Sequence, residues 1–123
     1  MTFRFEIDHV QIAIPKGGED LGRAFFGALL GLEELPKPLD MATRGGCWFA
    51  MSGCQIHLGI DADFRAAEKA HVALNTADLD ELRARLDKAG YKTQDDSVVD
   101  GRHRFFTHDP FGNRIEFMDR TAR

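Results

Sequence analysis

Four residues of this sequence carry side chains that bind divalent metals, and they occupy matching points of the chain: His9, His57, His71 and Glu116. Imidazole nitrogens and carboxylate oxygens are typical ligands of ions such as Ni²⁺, Co²⁺, Mn²⁺, Fe²⁺ and Zn²⁺. A single histidine in a strand is more often structural or exposed than a ligand. The hypothesis of a metal site therefore depends on the set of four.

The four residues share one face of their predicted strands. Side chains alternate between two faces along a strand, so residues of the same parity lie together. The opposite face of each strand is apolar and suited to a covering helix; it carries Val10, Ile12, Ile14, Ile56, Leu58, Ile60, Val72, Leu74, Ile115 and Phe117. Facing strands could bring the two pairs of polar residues into one site. The alternative interpretation is two polar-lined sheets around an empty groove.

The elements that position these residues follow a plan that occurs twice. A strand begins with His-Val at position 9 and again at position 71, and a helix follows each strand. Gly31 and Gly90 are predicted to cap the two helices. His57 lies 26 positions after Gly31, and Glu116 lies 26 positions after Gly90. The spacing predicts two βαβββ modules, at about 5–60 and 69–119 of a single domain spanning 1–123.

Apolar spacing and turn residues give the bounds of the elements. The first helix is predicted over Glu19 to Leu30, and the second begins after Asp78 as N-cap. Their apolar stripes are Leu21, Phe25, Ala28 and Leu29, and Leu79, Leu82, Leu86 and Ala89. The predicted strands are 5–14, 32–36, 45–52, 54–60, 69–76, 91–97, 102–108 and 113–119. A Ser52-Gly53 hairpin turn would hold Cys47 and Cys54 too far apart for a disulfide, so both are expected to be free thiols.

Composition excludes several classes of protein. The chain has 123 residues, 29% charged residues and a net charge of -4, with no basic stripe that would indicate a nucleic-acid partner. Apolar runs are only a few residues long, far short of the roughly 20 that span a bilayer. No signal peptide is apparent, so the expected compartment is the cytoplasm.

Three segments resemble the vicinal-oxygen-chelate superfamily, which contains glyoxalases, bleomycin resistance proteins and dioxygenases. Residues 109–117, Asp-Pro-Phe-Gly-Asn-Arg-Ile-Glu-Phe, resemble its D-P-x-G-x-x-hydrophobic-E signature. Residues 8–14 resemble its opening strand, and residues 25–32 resemble its F-Y-x-x-x-L-G-L helix end. The resemblance covers roughly residues 5–119.

This resemblance implies an α+β fold in which two βαβββ modules form a curved, half-barrel cup around one divalent metal. The family's ligand positions fall on His9, His57, His71 and Glu116, in agreement with the parity of the strands. A homodimer is implied too, and the cup could be formed within one chain or across the dimer.

The resemblance leaves the reaction open. Glyoxalase I has glutamate at both last-strand positions, but His57 occupies one of them here, so proton transfer would depend on Glu116 alone. We expect a metal-dependent lyase or isomerase whose small substrate chelates the metal through neighbouring oxygens. The alternatives are a small-molecule (antibiotic) binding or resistance protein and an extradiol-type dioxygenase. Dioxygenases and fosfomycin transferases use only the positions of His9, His71 and Glu116.

Three further residues are candidates for contact with the substrate: Trp48, Arg104 and Phe106. Aromatic rings in a small domain are mostly core. Arg104 could pair with an anionic group of the substrate, and the alternative is a solvated charge on its strand. His103 and His108 match no ligand position and are expected in surface or turn positions.

Overall fold

The computed structural model describes residues 1–123 and divides into two compact units, Met1–Phe64 and Arg65–Arg123. Each unit contains a strand, a helix and three further strands, in that order. Each has one four-stranded mixed sheet. The predicted α+β fold with two βαβββ modules is therefore confirmed.

The first unit forms its sheet in the spatial order β1-β4-β3-β2. Its strands are β1 (His9–Ile14), β2 (Glu34–Leu35), β3 (Cys47–Ala50) and β4 (Gln55–Ile60). The outer strand β1 runs parallel to β4, and β3 pairs antiparallel with both β2 and β4. A parallel pair needs a long crossover connection, which here contains the helix and two strands.

The second unit repeats this topology in the order β5-β8-β7-β6. Its strands are β5 (Val72–Thr76), β6 (Gln94–Asp95), β7 (Arg104–His108) and β8 (Arg114–Asp119). Again the first strand, β5, is parallel to the last, β8, and the other pairs are antiparallel. The first and last strands of each unit are thus direct neighbours, as a pair of ligand-bearing strands requires.

The helix of the first unit changes its winding partway along. Helix α1 covers Glu19–Gly22, and residues Arg23–Leu29 continue it as a π-helix. The amide of Leu30 donates to the carbonyl of Phe25 at 2.9 Å, a bond over five residues. The wider turn changes which residues face the sheet. Phe25 and Phe26 are buried, whereas Leu21 and Ala28 are exposed, so the predicted apolar stripe was wrong at those two residues.

The helix of the second unit follows the predicted pattern except at Ala89, which is exposed and lies just after the last residue of the helix. Helix α2 covers Leu79–Lys88 with Asp78 at the N-cap position, although the Asp78 side chain makes no capping hydrogen bond. Leu79 and Leu86 are buried against the sheet. Gly90 follows the helix with φ +91°, as Gly31 follows the first with φ +79°, so both predicted glycine caps are confirmed.

Each unit has its own apolar core between helix and sheet. In the first unit the core contains Ile14, Phe25, Phe26, Cys47, Phe49, Ile56 and Leu58. In the second it contains Leu79, Leu86, Phe105, Ile115 and Phe117, whereas the buried Phe106 lies on the opposite face of the sheet with Glu116. A Cβ on Gly22 would lie 2.6 Å from Leu58 Cδ1, so this glycine allows the helix to approach β4 closely.

Some predicted bounds differ from the structure. Strand β1 begins at His9 rather than residue 5, and β6 contains only Gln94–Asp95 of the predicted 91–97. A 3₁₀ helix over Leu39–Arg44, between the predicted strands 32–36 and 45–52, was not predicted. Cys47 and Cys54 are free, as predicted. No helix has the length and apolar composition needed to cross a bilayer.

Candidate metal centre

The first pair of predicted ligands stacks across the parallel strands β1 and β4. His9 pairs in register with Gln55, so His57 lies two residues further along the neighbouring strand and on the same face. The two imidazole rings are 4.1 Å apart between centroids and inclined by 12°. Strand geometry alone therefore brings His9 and His57 into contact.

His57 is buried at 5% exposure, between two other rings. The indole of Trp48, its register partner on β3, stacks on its second face at 4.2 Å and 5°. Burial lowers the pKa of His57, and the nearby His9 lowers it further. Both effects favour the neutral imidazole, the form that metal ligation requires. Its Nε2 lies 2.8 Å from Oε1 of Gln55.

The second pair joins the end of β5 to the neighbouring strand β8. His71 immediately precedes β5, and its Nε2 lies 2.9 Å from Oε1 of Glu116. Glu116 is 7% exposed. The ring of Phe106, the register partner of Glu116 on β7, meets the His71 ring edge to face at 5.1 Å.

The two units place these residues in equivalent positions. The offset from His9 to His57 is two residues beyond direct register. The ladder that pairs Val72 with Ile115 gives the same offset from His71 to Glu116. Trp48 pairs with His57 as Phe106 pairs with Glu116, so an aromatic ring accompanies the second ligand in each unit.

Arginine side chains surround the second pair. Arg104 Nη1 donates to Oε2 of Glu116 at 3.3 Å, and its Nη2 lies 3.4 Å from a carboxylate oxygen of Asp96. The Arg114 guanidinium lies 3.8 Å from the centroid of the Phe106 ring, and that of Arg104 lies 5.5 Å away. Arg104 is thus a partly buried partner of the candidate ligand rather than a solvated strand charge. Arg114 was not predicted, although its parity with Glu116 placed it on this face.

The hydrogen bonds of two histidines fit a metal site. Nδ1 of His9 lies 2.9 Å from the Asp8 carboxylate, and Nδ1 of His71 lies 2.9 Å from the carbonyl of Lys69. These oxygens only accept hydrogen bonds, so Nδ1 of each histidine carries a proton and donates a hydrogen bond to them. Nε2 of His9 is then left to bind a cation, whereas Nε2 of His71 faces Glu116, with which it would share a cation. Metal-binding histidines are oriented by this kind of second partner.

The separation between His71 Nε2 and Glu116 Oε1 also fits a shared cation. With about 2.1 Å from metal to each ligand atom, two adjacent ligands at about a right angle lie roughly 3 Å apart. The observed distance is 2.9 Å. His57 fits less directly, because Gln55 already occupies its Nε2. The pair of His71 and Glu116 in the second unit therefore fits two adjacent ligands of one divalent ion.

The structure brings the predicted ligands together as two pairs, one in each unit. No group of three or more His, Cys, Asp or Glu side chains has the spacing to hold a metal. The site of four ligands stays a prediction. His103 and His108 are exposed, as predicted.

A buried turn sets the start of the strand that carries Glu116. Asp109 Oδ1 accepts hydrogen bonds from the amides of Phe111 and Asn113, both at 2.9 Å. Its Oδ2 accepts one from Asn113 Nδ2 at 2.8 Å. Burial raises the pKa of Asp109, while these hydrogen bonds oppose the increase. The Asp-Pro-Phe-Gly-Asn segment therefore has a structural role as the connection between β7 and β8.

Comparisons with known proteins agree with this architecture. A glyoxalase family protein from Bacillus anthracis has a structure similar to this chain, with 43% sequence identity and a TM-score of 0.92; the match covers 98% of this chain and 99% of that one. A glyoxalase family protein from Enterococcus faecalis matches at 24% identity and TM-score 0.72, over 92% and 96% of the two chains.

More distant structures show the fold alone. The genomically encoded fosfomycin resistance protein FosX from Listeria monocytogenes matches at 15% identity and TM-score 0.71, over 98% and 96% of the two chains. No curated protein matches the sequence. The sequence model of the Glyoxalase/Bleomycin resistance protein/Dioxygenase superfamily matches residues 7–117. Taken with the Bacillus anthracis structure, this match shows that the chain belongs to that superfamily.

Proposed function

We propose that this protein is a metal-dependent enzyme of the lyase or isomerase type, acting on a small substrate that presents two neighbouring oxygens. His9, His57, His71 and Glu116 are the proposed ligands of one divalent ion: Ni, Co, Mn, Fe or Zn. The observation that carries this proposal is the orientation of His9 and His71, whose Nδ1 atoms are both occupied by oxygen acceptors. Two histidines held this way at equivalent positions are typical of ligands.

A bound divalent ion would act as a Lewis acid, polarising the substrate oxygens and stabilising negative charge that develops on them. Glu116 is the only carboxylate among the four proposed ligands, so it is the candidate base. Its Oε2 is held by Arg104 at 3.3 Å, independently of Oε1. If a substrate oxygen displaced Oε1, Arg104 would keep the carboxylate in position to accept a proton.

Three side chains are proposed to contact the substrate: Trp48, Arg104 and Phe106. The Trp48 ring lies 4.2 Å from the His57 ring in the first unit, and the Phe106 ring lies 5.1 Å from the His71 ring in the second, measured between centroids. Their rings would exclude water from the candidate ligands. Arg104 supplies positive charge beside Glu116.

Metal content tests the proposal. The protein is purified without chelator and measured by elemental analysis, and stoichiometric metal is expected. Added metal at 100 times its dissociation constant should stabilise the fold by about 2.7 kcal/mol. His9→Gln and His71→Gln should reduce this stabilisation, whereas His103→Gln, an exposed non-ligand, should not. Less than about a tenth of a metal per chain, with no stabilisation by any of the five ions, would reject the proposal.

A second candidate function is favoured by the contact between His57 and Gln55. If Gln55 retains Nε2 of His57, the ligand set is His9, His71 and Glu116, two histidines and one carboxylate, as in extradiol-type dioxygenases. His57→Gln distinguishes the two. Unchanged metal affinity supports the three-ligand set, and a loss of about tenfold or more supports four ligands. An antibiotic-binding or resistance role without chemistry predicts ligand binding that is independent of metal.

The active form is proposed to be a homodimer. Strand β1, which contains His9, lies at an edge of the first sheet, and β5, which follows His71, lies at an edge of the second. Edge strands offer unpaired backbone groups to a second chain.

A further inference from the structure

The residues before β1 form a segment with the pattern of a β-strand but no strand partner. Phe3, Phe5 and Ile7 alternate with Thr2, Arg4, Glu6 and Asp8. Such alternation is typical of a strand that buries one face. None of residues 1–7 makes a hydrogen bond with the rest of the chain; the first bond is from the Gln55 amide to the Asp8 carbonyl at 3.1 Å.

The apolar face of this segment is exposed to solvent. Phe3 is 69% exposed, Phe5 is 91% exposed and Ile7 is 65% exposed. The rings of Phe3 and Phe5 lie 6.3 Å apart between centroids, which places them on the same side. Three large apolar side chains in a row at this exposure indicate an interaction surface rather than scattered surface residues.

The sequence of the segment is complementary to itself in antiparallel pairing. With Phe5 opposite Phe5 of a second copy, Phe3 lies opposite Ile7, and Arg4 lies opposite Glu6. Every apolar residue then meets an apolar residue, and each basic residue meets an acidic one. Opposite charges directly across a ladder stabilise it and like charges destabilise it, so this register is favoured over its neighbours.

We propose that residues 2–8 of two copies of this chain pair as antiparallel strands, in a two-fold register centred on Phe5. The register repeats every contact across the axis, as a symmetric dimer requires. Each phenylalanine can bury about 150–250 Å². Four of them, with two isoleucines and the paired backbones, approach the lower end of the roughly 1,200–2,000 Å² of stable interfaces. The segment continues directly into the edge strand β1, so the pairing would extend that edge.

Charge reversal tests the register in the full-length protein. Wild type is expected to sediment at twice the 13.8 kDa of one chain. Arg4→Glu and Glu6→Arg should each weaken self-association by about tenfold or more, because both place like charges opposite each other at two symmetric positions. An equimolar mixture of the two variants should regain the affinity, as a heterodimer. The double variant Arg4→Glu/Glu6→Arg should dimerise like wild type.

Crosslinking tests the same register by position, in a Cys54→Ser background that removes the half-buried native thiol. Phe5→Cys should form a disulfide-linked dimer, since directly opposite residues lie within bridging distance. Phe3→Cys is the matched control: it also replaces one phenylalanine, but it should not crosslink, because position 3 lies opposite position 7. The double variant Phe3→Cys/Ile7→Cys should crosslink. A monomeric wild type overturns the proposal. Residues 2–8 would then bind another protein or pack on their own chain. The proposal is also overturned by a dimer that both charge reversals leave unchanged, or by equal crosslinking at positions 3 and 5.

Discussion

Replacing Glu116 with glutamine separates a metal ligand from a structural carboxylate. Glu116 is buried, with Oε1 at 2.9 Å from His71 and Oε2 at 3.3 Å from Arg104. Glutamine keeps the volume of the side chain and one acceptor oxygen. Its NH₂ group would replace the other oxygen and could not accept a hydrogen bond from His71 or Arg104. A hydrogen bond to a charged group contributes about 1.5–3 kcal/mol. Because glutamine retains one of the two hydrogen bonds, we expect the free energy of unfolding of the metal-free protein to fall by about 2 kcal/mol.

The effect on metal binding should be separate from this loss. Glutamine lacks the negative charge of the carboxylate, so we expect Glu116→Gln to weaken metal affinity by at least tenfold, about 1.4 kcal/mol. Calorimetric titration with Ni²⁺ or Zn²⁺ measures the affinity. Urea unfolding in the presence of chelator measures the stability of the metal-free fold.

Arg104→Gln is the matched control, because it removes the same ion pair but leaves the carboxylate in place. Its metal-free fold should also be destabilised, yet its metal affinity should equal or exceed that of wild type, since a competing cation is gone. Equal metal affinity in Glu116→Gln and wild type would refute the reasoning. Glu116 would then be a buried structural carboxylate paired with Arg104.

Three further predictions concern a glycine, a buried carboxylate and the tryptophan beside His57. Gly46 has φ +81°, and a Cβ there would lie 2.0 Å from the Leu58 carbonyl oxygen, so Gly46→Ala should cost about 3 kcal/mol or more in urea unfolding. A loss below about 1 kcal/mol would contradict that contact. Burial raises the pKa of Asp109 above 3.8, so ionisation costs stability. The stability of wild type relative to Asp109→Asn should therefore fall as the pH rises from about 3.8 through the raised pKa; a rise over that window would disprove it. Trp48 is the only tryptophan and stacks on His57. Its fluorescence should respond to acid with a midpoint below the ordinary histidine value of about 6.5, and His57→Gln should abolish the response.

The alternation and spacing of apolar residues were sufficient to predict most of the fold. The parity of residues around His57 and Glu116 gave both the buried face and the polar face of the sheets. The π-helical turn at Arg23–Leu29 could not be predicted, because an extra residue per turn leaves no distinct mark in composition. Residues 5–8 have strand-like alternation, yet no neighbouring strand of the chain pairs with them. Local pattern predicts the conformation of such a segment but not whether a partner is present.

The candidate ligands were predictable, but most of their partners were not. Parity placed His9 and His57 on one face, and the parallel pairing of β1 with β4 explains their contact. The proton acceptor of His71 is the backbone carbonyl of Lys69, which no side-chain pattern can reveal. The ion pair of Arg104 with Glu116 depends on the exact ladder of β7 with β8. Alternation excludes a slip of one residue, because it would turn the apolar face outward, but it does not exclude a slip of two residues.

The equivalent register of the two units bears on how the protein could have arisen and diverged. Tandem duplication of a gene for one βαβββ unit would produce two sheets with the same diagonal relation between first and last strands. After duplication, each copy accumulates its own substitutions. Positions 57 and 116 now hold histidine and glutamate, and positions 48 and 106 hold tryptophan and phenylalanine. One codon change at position 57 or 116 would alter the charge on a candidate ligand without moving the backbone. A lineage could therefore acquire a new metal preference, and with it a new reaction, while inheriting the same fold.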